Sequence, residues 1–367
     1  MKIIHCSIWG DIEVDDLAHS LLDTWTFQRL HYIRQTGFGY KVFPTAQVSR
    51  FAHSLGCYHI TRRLLQEIER RQPHVIFVIP PRVLQLIPIA GLCHDIGHAA
   101  YSHWFDRLIE ELMEKKGGNH PSTLSKSSWY HHEERGVDIL RTTLLEMTGG
   151  KYKDNQNLEN FQNCQNCQNC QNCQNWREGD IEILEKLLLG PHEHWYEHIV
   201  TNPKSCLDTD KIDYIVRDVR QFGLEKSMGS IDVSRLFANC RVQDNELQFC
   251  ERIRDDIEHI FYLRSRLYTH IYQHPTIRRF EDEMMVCIRN NPSLVKELVD
   301  IIQNHNYSQF LLLTDEAILQ KIFPCPLERQ QFECRQWTLP KTKSFEGHDR
   351  HRLQREKALQ NIKYYPR

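Results

Sequence analysis

At 367 residues the chain has room for one large domain or two small ones, and its net charge of -2 provides no overall field to attract a polyanion. Hydrophobic residues at 40% and charged residues at 26% argue against global disorder, and no apolar run approaches the roughly 18 residues that span a bilayer. The first residues lack a secretory-signal layout and the 13 cysteines are expected to stay reduced, so the expected setting is cytoplasmic or nuclear.

β-prone residues on either side of Trp9-Gly10-Asp11 predict a hairpin over residues 2–14. Helices follow. Leu17 to Leu22 forms the first, and Asp23-Thr24 is a capping pair ahead of Phe27, Leu30, Tyr32 and Ile33 at roughly helical spacing. Ser49 is placed to cap a long helix that carries His53 towards Arg71. Pro80-Pro81 marks the next boundary. The nearly all-apolar stretch from Val83 to Leu92 predicts a central helix that delivers His94 and Asp95. Gly97 is consistent with an end there, which the pair needs, because consecutive helical residues diverge by about 100°.

Further helices are predicted over 102–115, 131–145, 180–189 and 208–220, then a hairpin around Asp244-Asn245 and long helices from 255 to 302. The expected class is mainly α, with small N-terminal and central β-hairpins. Residues 117–128 are loop-like, and 155–175 carry Gln-Asn-Cys in tandem. Its Cys-x-x-Cys spacing resembles a metal cluster, yet a polar triplet repeat points to repeat expansion. From about residue 340 the chain turns basic, as a solvated tail or surface helix would. Two units are expected: a domain over 1–303, interrupted by the 155–175 insert, and a short helical and basic region over 304–367.

His53, His94, Asp95 and Asp210 combine two imidazoles with two carboxylates, a donor set suited to Mn, Fe, Ni, Zn or Mg. Such a site leaves positions open to a phosphoryl oxygen or a water. His98, four residues after His94, is expected to face the same region. His103 has Asp106 at i+3, near enough for the carboxylate to orient the ring and raise its pKa, the layout of a general acid. His132, with Glu133 and Glu134, supplies another imidazole and carboxylate at a helix start. His192, His194 and His198 have zinc-like spacing without a third ligand, and a surface role is expected.

With these motifs in hand, the chain resembles the HD-domain phosphohydrolases, and among them the deoxynucleoside triphosphate triphosphohydrolases. The resemblance runs from about Lys2 to Phe280 and rests on Asp23 to Leu30, Arg50 to Gly56, Gly91 to Asp106, Asp208 to Asp218, and Tyr272-Gln273-His274. It implies an HD-type helical fold and a divalent metal on His53, His94, Asp95 and Asp210. It also implies that His98, His103, supported by Asp106, and His132 act at the scissile bond. The products would be a nucleoside and inorganic triphosphate. Gln35, Arg50, Lys211, Tyr214, Asp218, Arg264, Tyr272 and Gln273 match the family's substrate contacts in residue type.

A magnesium nucleotide activator and a homo-oligomer belong to the same family pattern. Lys2, Asp23 and Gln28 of the activator site are present, but His31 replaces its arginine and lacks the guanidinium fork. Thr36 replaces a leucine against the sugar. No sterile-alpha-motif domain is expected in front. The alternatives within reach of the same residues are a nucleoside monophosphate phosphatase or another phosphodiesterase. A nucleotide-sensing or nucleic-acid-binding protein with a vestigial site is a further alternative.

Overall fold

A computed structural model describes residues 2–114, 129–148, 175–336 and 357–366. The expected loop at 117–128, nearly all of the Gln-Asn-Cys tract and most of the basic tail lie outside the described residues. The remainder is mainly helical, with one two-stranded and one three-stranded sheet. The expected N-terminal hairpin pairs β1 (Lys2–Cys6) with β2 (Gly10–Val14), antiparallel with Lys2 opposite Val14. Centrally, β3 (Cys240–Gln243) and β4 (Glu246–Cys250) form the second hairpin. The parallel partner of β4 was not foreseen: β5 (Lys363–Tyr365), from the far end of the chain, lies along its edge.

At the centre the helix Arg50–Arg71 packs against Pro81–Cys93 and Thr209–Gln221. The Ser49 side chain caps the first by accepting from the backbone N–H of Ala52. Thr24 caps its own short helix in the same way, through Phe27. Every residue from Leu86 to Cys93 is buried, as expected for a helix that is apolar on all faces. That helix stops at Cys93, so His94 and Asp95 fall at its end and in the turn beyond. His98 therefore reaches the site through this turn, not along a helical face as i+4 spacing had suggested.

The chain then passes through Tyr101 and Ser102, both left-handed at φ 57° and 60°, before the helix His103–Glu114 begins. Such a backbone costs about 1–3 kcal/mol per residue and persists only where its surroundings hold it. Here the carboxylate of Asp315 accepts from the Tyr101 N–H at 2.7 Å, and the Ser102 hydroxyl donates to the Arg34 carbonyl at 2.7 Å. Further along, the helix Arg254–Leu267 widens into a π-turn over Tyr268–Tyr272, a local irregularity often found at functional sites. No described helix is long and apolar enough to cross a membrane.

Candidate functional site

Three elements converge on His53, His94, Asp95 and Asp210. His53 Nε2 lies 3.2 Å from His94 Nε2, 3.2 Å from an Asp210 oxygen and 3.3 Å from an Asp95 oxygen. His94 Nε2 is 3.4 Å from each of those two oxygens. Separations of this size suit donors that share one divalent cation about 2.1 Å away. The far side of each ring is already engaged: His94 Nδ1 pairs with the Gly91 carbonyl at 2.9 Å, and His53 Nδ1 with Asp213 at 2.7 Å. Both Nε2 atoms are thereby aimed at the shared point.

The electrostatics agree with this geometry. Burial opposes ionisation of Asp95, but Arg50, His94 and His98 outweigh it and hold the carboxyl well below its usual range. Asp210 is also held low against burial, by His53, His94 and Lys211. The point where the donors meet is therefore one that attracts positive charge. Cys57 Sγ lies within reach of the same point as His53, His94 and Asp210, but it is nearly equidistant from the two His53 ring nitrogens, at 3.6 and 3.7 Å, and so packs against the ring. Burial pushes its thiol pKa up, which keeps it protonated.

Asp213 is a positioning residue that inspection of the sequence missed. Its spacing was the available signal, because i+3 from Asp210 puts it on the same helical face. Its carboxylate accepts from both Arg217 nitrogens, at 2.9 and 2.8 Å, and from the Trp9 indole at 2.5 Å, besides pairing with His53. Burial would raise its pKa, but Arg217 and His53 bring it down to about 2. Asp213→Asn is expected to weaken divalent-metal affinity about 10- to 100-fold, measured by chelator competition. An unchanged affinity would show that His53 needs no carboxylate behind it.

Beside the donors stand His98, His103 and His132. The His98 and His132 rings stack at 3.8 Å, with His103 edge-on to both at 4.8 and 5.1 Å. Asp106 does not serve His103 as expected: it stands 3.9 Å from that ring and instead pairs with His132 at 2.9 Å and Arg135 at 2.5 Å. Nor is the His103 pKa raised. Its side chain opens to the cleft, 69% accessible, yet the surrounding protein, then Arg50 and His132, lower the pKa to about 4. His98, fully buried, is also held neutral, by burial and then by Arg50 and His132.

Two cavities adjoin here, of about 240 and 410 Å3. The smaller contains His94, Asp95, Asp210, Lys211, His132 and Arg264; the larger contains Thr36, Asp218, Tyr272 and Gln273. Gln35, Arg50, His103, Tyr214 and Tyr268 line both, so the two form one cleft. All eight residues expected at the substrate therefore lie along it. Arg50 is already committed, to Asp95 through one nitrogen and to the Ser102 hydroxyl at 2.9 Å through another. Lys211 Nζ donates to Asp208 at 2.7 Å, and Arg264 donates to the Tyr214 hydroxyl at 3.0 Å. Tyr268 was missed, although it stands one helical turn before Tyr272, its ring 5.1 Å away. His192 and His198 stack at 5.1 Å away from this cleft, and among the described residues no third donor joins them.

Residues 50–156 match the family described as HD domain. The chain is 26% identical over 335 residues to the putative HD domain-containing protein L394 of Acanthamoeba polyphaga mimivirus, covering 88% of this chain and 64% of that protein. It is 31% identical over 294 residues to the human deoxynucleoside triphosphate triphosphohydrolase SAMHD1, covering 75% of this chain and 42% of the human protein. The Dictyostelium discoideum homolog is 29% identical over 284 residues, covering 76% and 47%. The chain thus spans between 42% and 64% of the length of these relatives. His53, His94 and Asp95 lie within the matched residues and Asp210 beyond them; residues 50–156 form an HD domain, and through it this chain belongs with the HD-domain proteins.

Proposed function

We propose that this protein hydrolyses nucleoside triphosphates to the nucleoside and inorganic triphosphate, using a divalent cation held by His53, His94, Asp95 and Asp210. The observation that carries this reading is the continuity of the cleft. The donor cluster opens past Arg50, Tyr214 and Tyr268 into a cavity of about 410 Å3, within the range of small-molecule sites. The activity named for the SAMHD1 relatives supports the same reading. A divalent ion bound there supplies Lewis-acid charge and an acidified water.

The protein's own groups account for the rest. Lys211 stays charged despite burial because Asp208 and Asp210 hold its proton, and with Arg264 it offers fixed positive charge to phosphate oxygens. Tyr214, Tyr268 and Tyr272 form walls for a sugar. His103 is neutral beside Arg50 and His132, but the negative charge of a triphosphate would favour its protonated form. It would then be able to protonate the departing 5′ oxygen, while the Asp106–His132 pair holds its neighbour in place.

Incubation of the protein with Mn2+ and each nucleoside triphosphate, with products resolved by ion-pair chromatography, tests this. Intact inorganic triphosphate is the expected product. Pyrophosphate with nucleoside monophosphate, or no product, would overturn the proposal, and cleavage of monophosphates alone would identify a phosphatase.

A further inference from the structure

Asp315 opens the helix Asp315–Ile322 and is buried, 2% exposed, where its carboxylate meets two distant stretches of chain. One oxygen accepts from the Tyr101 N–H at 2.7 Å. The other accepts from the Arg34 N–H at 3.1 Å and from the Arg34 guanidinium at 3.2 Å. Burial lifts the Asp315 pKa to about 6 against the pull of these donors, so above pH 7 it is mainly a carboxylate. A buried carboxylate with charge-assisted bonds fixes the groups that donate to it.

Those groups lead to the metal donors. Ser102 donates its hydroxyl to the Arg34 carbonyl at 2.7 Å and accepts from Arg50 Nε at 2.9 Å, while another Arg50 nitrogen pairs with Asp95. Ser102 and Arg50 are both buried, so water does not readily replace either contact. Tyr101 and Ser102 hold left-handed backbone, a conformation that relaxes once its restraints are removed. Without Asp315, the Ser102 hydroxyl loses the position from which it aims Arg50. A second clamp from the segment after Asp315 leads elsewhere: Glu333 pairs with Lys41, and Arg335 donates to the Lys41 carbonyl at 2.7 Å.

We propose that Asp315 is a positioning residue for the candidate metal centre, acting through Arg34, Ser102 and Arg50 to hold the Asp95 carboxylate in its donor geometry. The proposal takes the cation on His53, His94, Asp95 and Asp210 from the functional reading above and needs no particular substrate. Asp315 itself lines neither of the two cavities. Asp315→Asn keeps the size of the side chain but replaces one acceptor oxygen by an NH2 group, which sets donor against donor at either Tyr101 or Arg34.

The test is the Mn2+ affinity of the full chain by chelator competition, with the urea midpoint measured alongside, for Asp315→Asn, Ser102→Ala, the double variant and Glu333→Gln. Asp315→Asn and Ser102→Ala are each expected to weaken affinity about tenfold. The double variant is expected to lose no more than the larger single loss, because both substitutions break one chain of contacts. Glu333→Gln loosens the second clamp without touching that chain, and is expected to lower the urea midpoint while affinity stays within about twofold of the wild type. Unmoved affinity in Asp315→Asn, losses that add in the double variant, or an equal loss in Glu333→Gln overturns the proposal. If Asp315→Asn does not fold, Ser102→Ala decides: weakened affinity supports the chain of contacts, and wild-type affinity overturns it. A wild type that binds no Mn2+ sinks the metal reading and this proposal with it, whereas wild-type binding with unmoved variants sinks the positioning role alone.

Discussion

His94→Ala and Asp95→Ala are each expected to lose the bound divalent metal and to lower kcat by roughly a thousandfold or more. Both residues contribute atoms to the same cluster, each within 3.4 Å of the other and of His53, so neither loss is readily made up by a neighbour. Their structural consequences differ. His94 makes one further contact, to the Gly91 carbonyl, and its removal leaves the fold intact. Asp95 is the counter-ion of Arg50, whose side chain is 3% exposed, and removing it strands a buried guanidinium at a cost of about 3–5 kcal/mol. Metal content per chain by plasma mass spectrometry, turnover, and the urea midpoint together separate the two effects. Retention of stoichiometric metal by either variant would remove that residue from the donor set.

Gly97→Ala is expected to destabilise the protein by about 3 kcal/mol and to reduce activity with it. A Cβ on Gly97 would stand 2.0 Å from the His132 carbonyl oxygen and 2.6 Å from the Gly136 nitrogen, both backbone atoms that cannot rotate away. Relief requires the start of the helix His132–Met147 to move off the turn that carries His94, Asp95 and His98. His132 would move with it, and the buried Arg135, which donates to the Gly97 carbonyl at 2.8 Å and to Asp106 at 2.5 Å, would lose alignment. Chemical denaturation and steady-state kinetics check both effects. A variant with the wild-type midpoint would mean that the two segments separate without cost. Gly56 is a close approach of another kind, since an added Cβ there would meet the Asp213 and Arg217 side chains.

Much of the site was legible because its signals are short-range. The donors His94 and Asp95 follow directly on an apolar helix, and the Ser49 cap lies four residues from His53. The residues expected at the substrate were named from motif resemblance, and all of them lie along one cleft. The partner of Asp106 was not legible. Spacing favours His103 at i−3, but His132 and Arg135 come from a separate helix and make the shorter contacts, while burial, then Arg50 and His132, outweigh Asp106 and lower the His103 pKa. Asp213 remained hidden because its value lies in what it meets: His53, Arg217 and Trp9 come from three stretches of chain.

The sequence by itself determined the mainly α class, both hairpins, the helix caps and the residues of the candidate metal cluster. Each depends on side-chain chemistry or periodicity within a few residues, where chain connectivity already sets the geometry. Tertiary structure alone decided the left-handed Tyr101–Ser102 pair held by Asp315 and Arg34, and the pairing of β5 with β4. It also decided which acid serves which histidine and how the two cavities join into one cleft. These depend on contacts between distant segments, whose partners are chosen by packing and the need to satisfy buried polar groups.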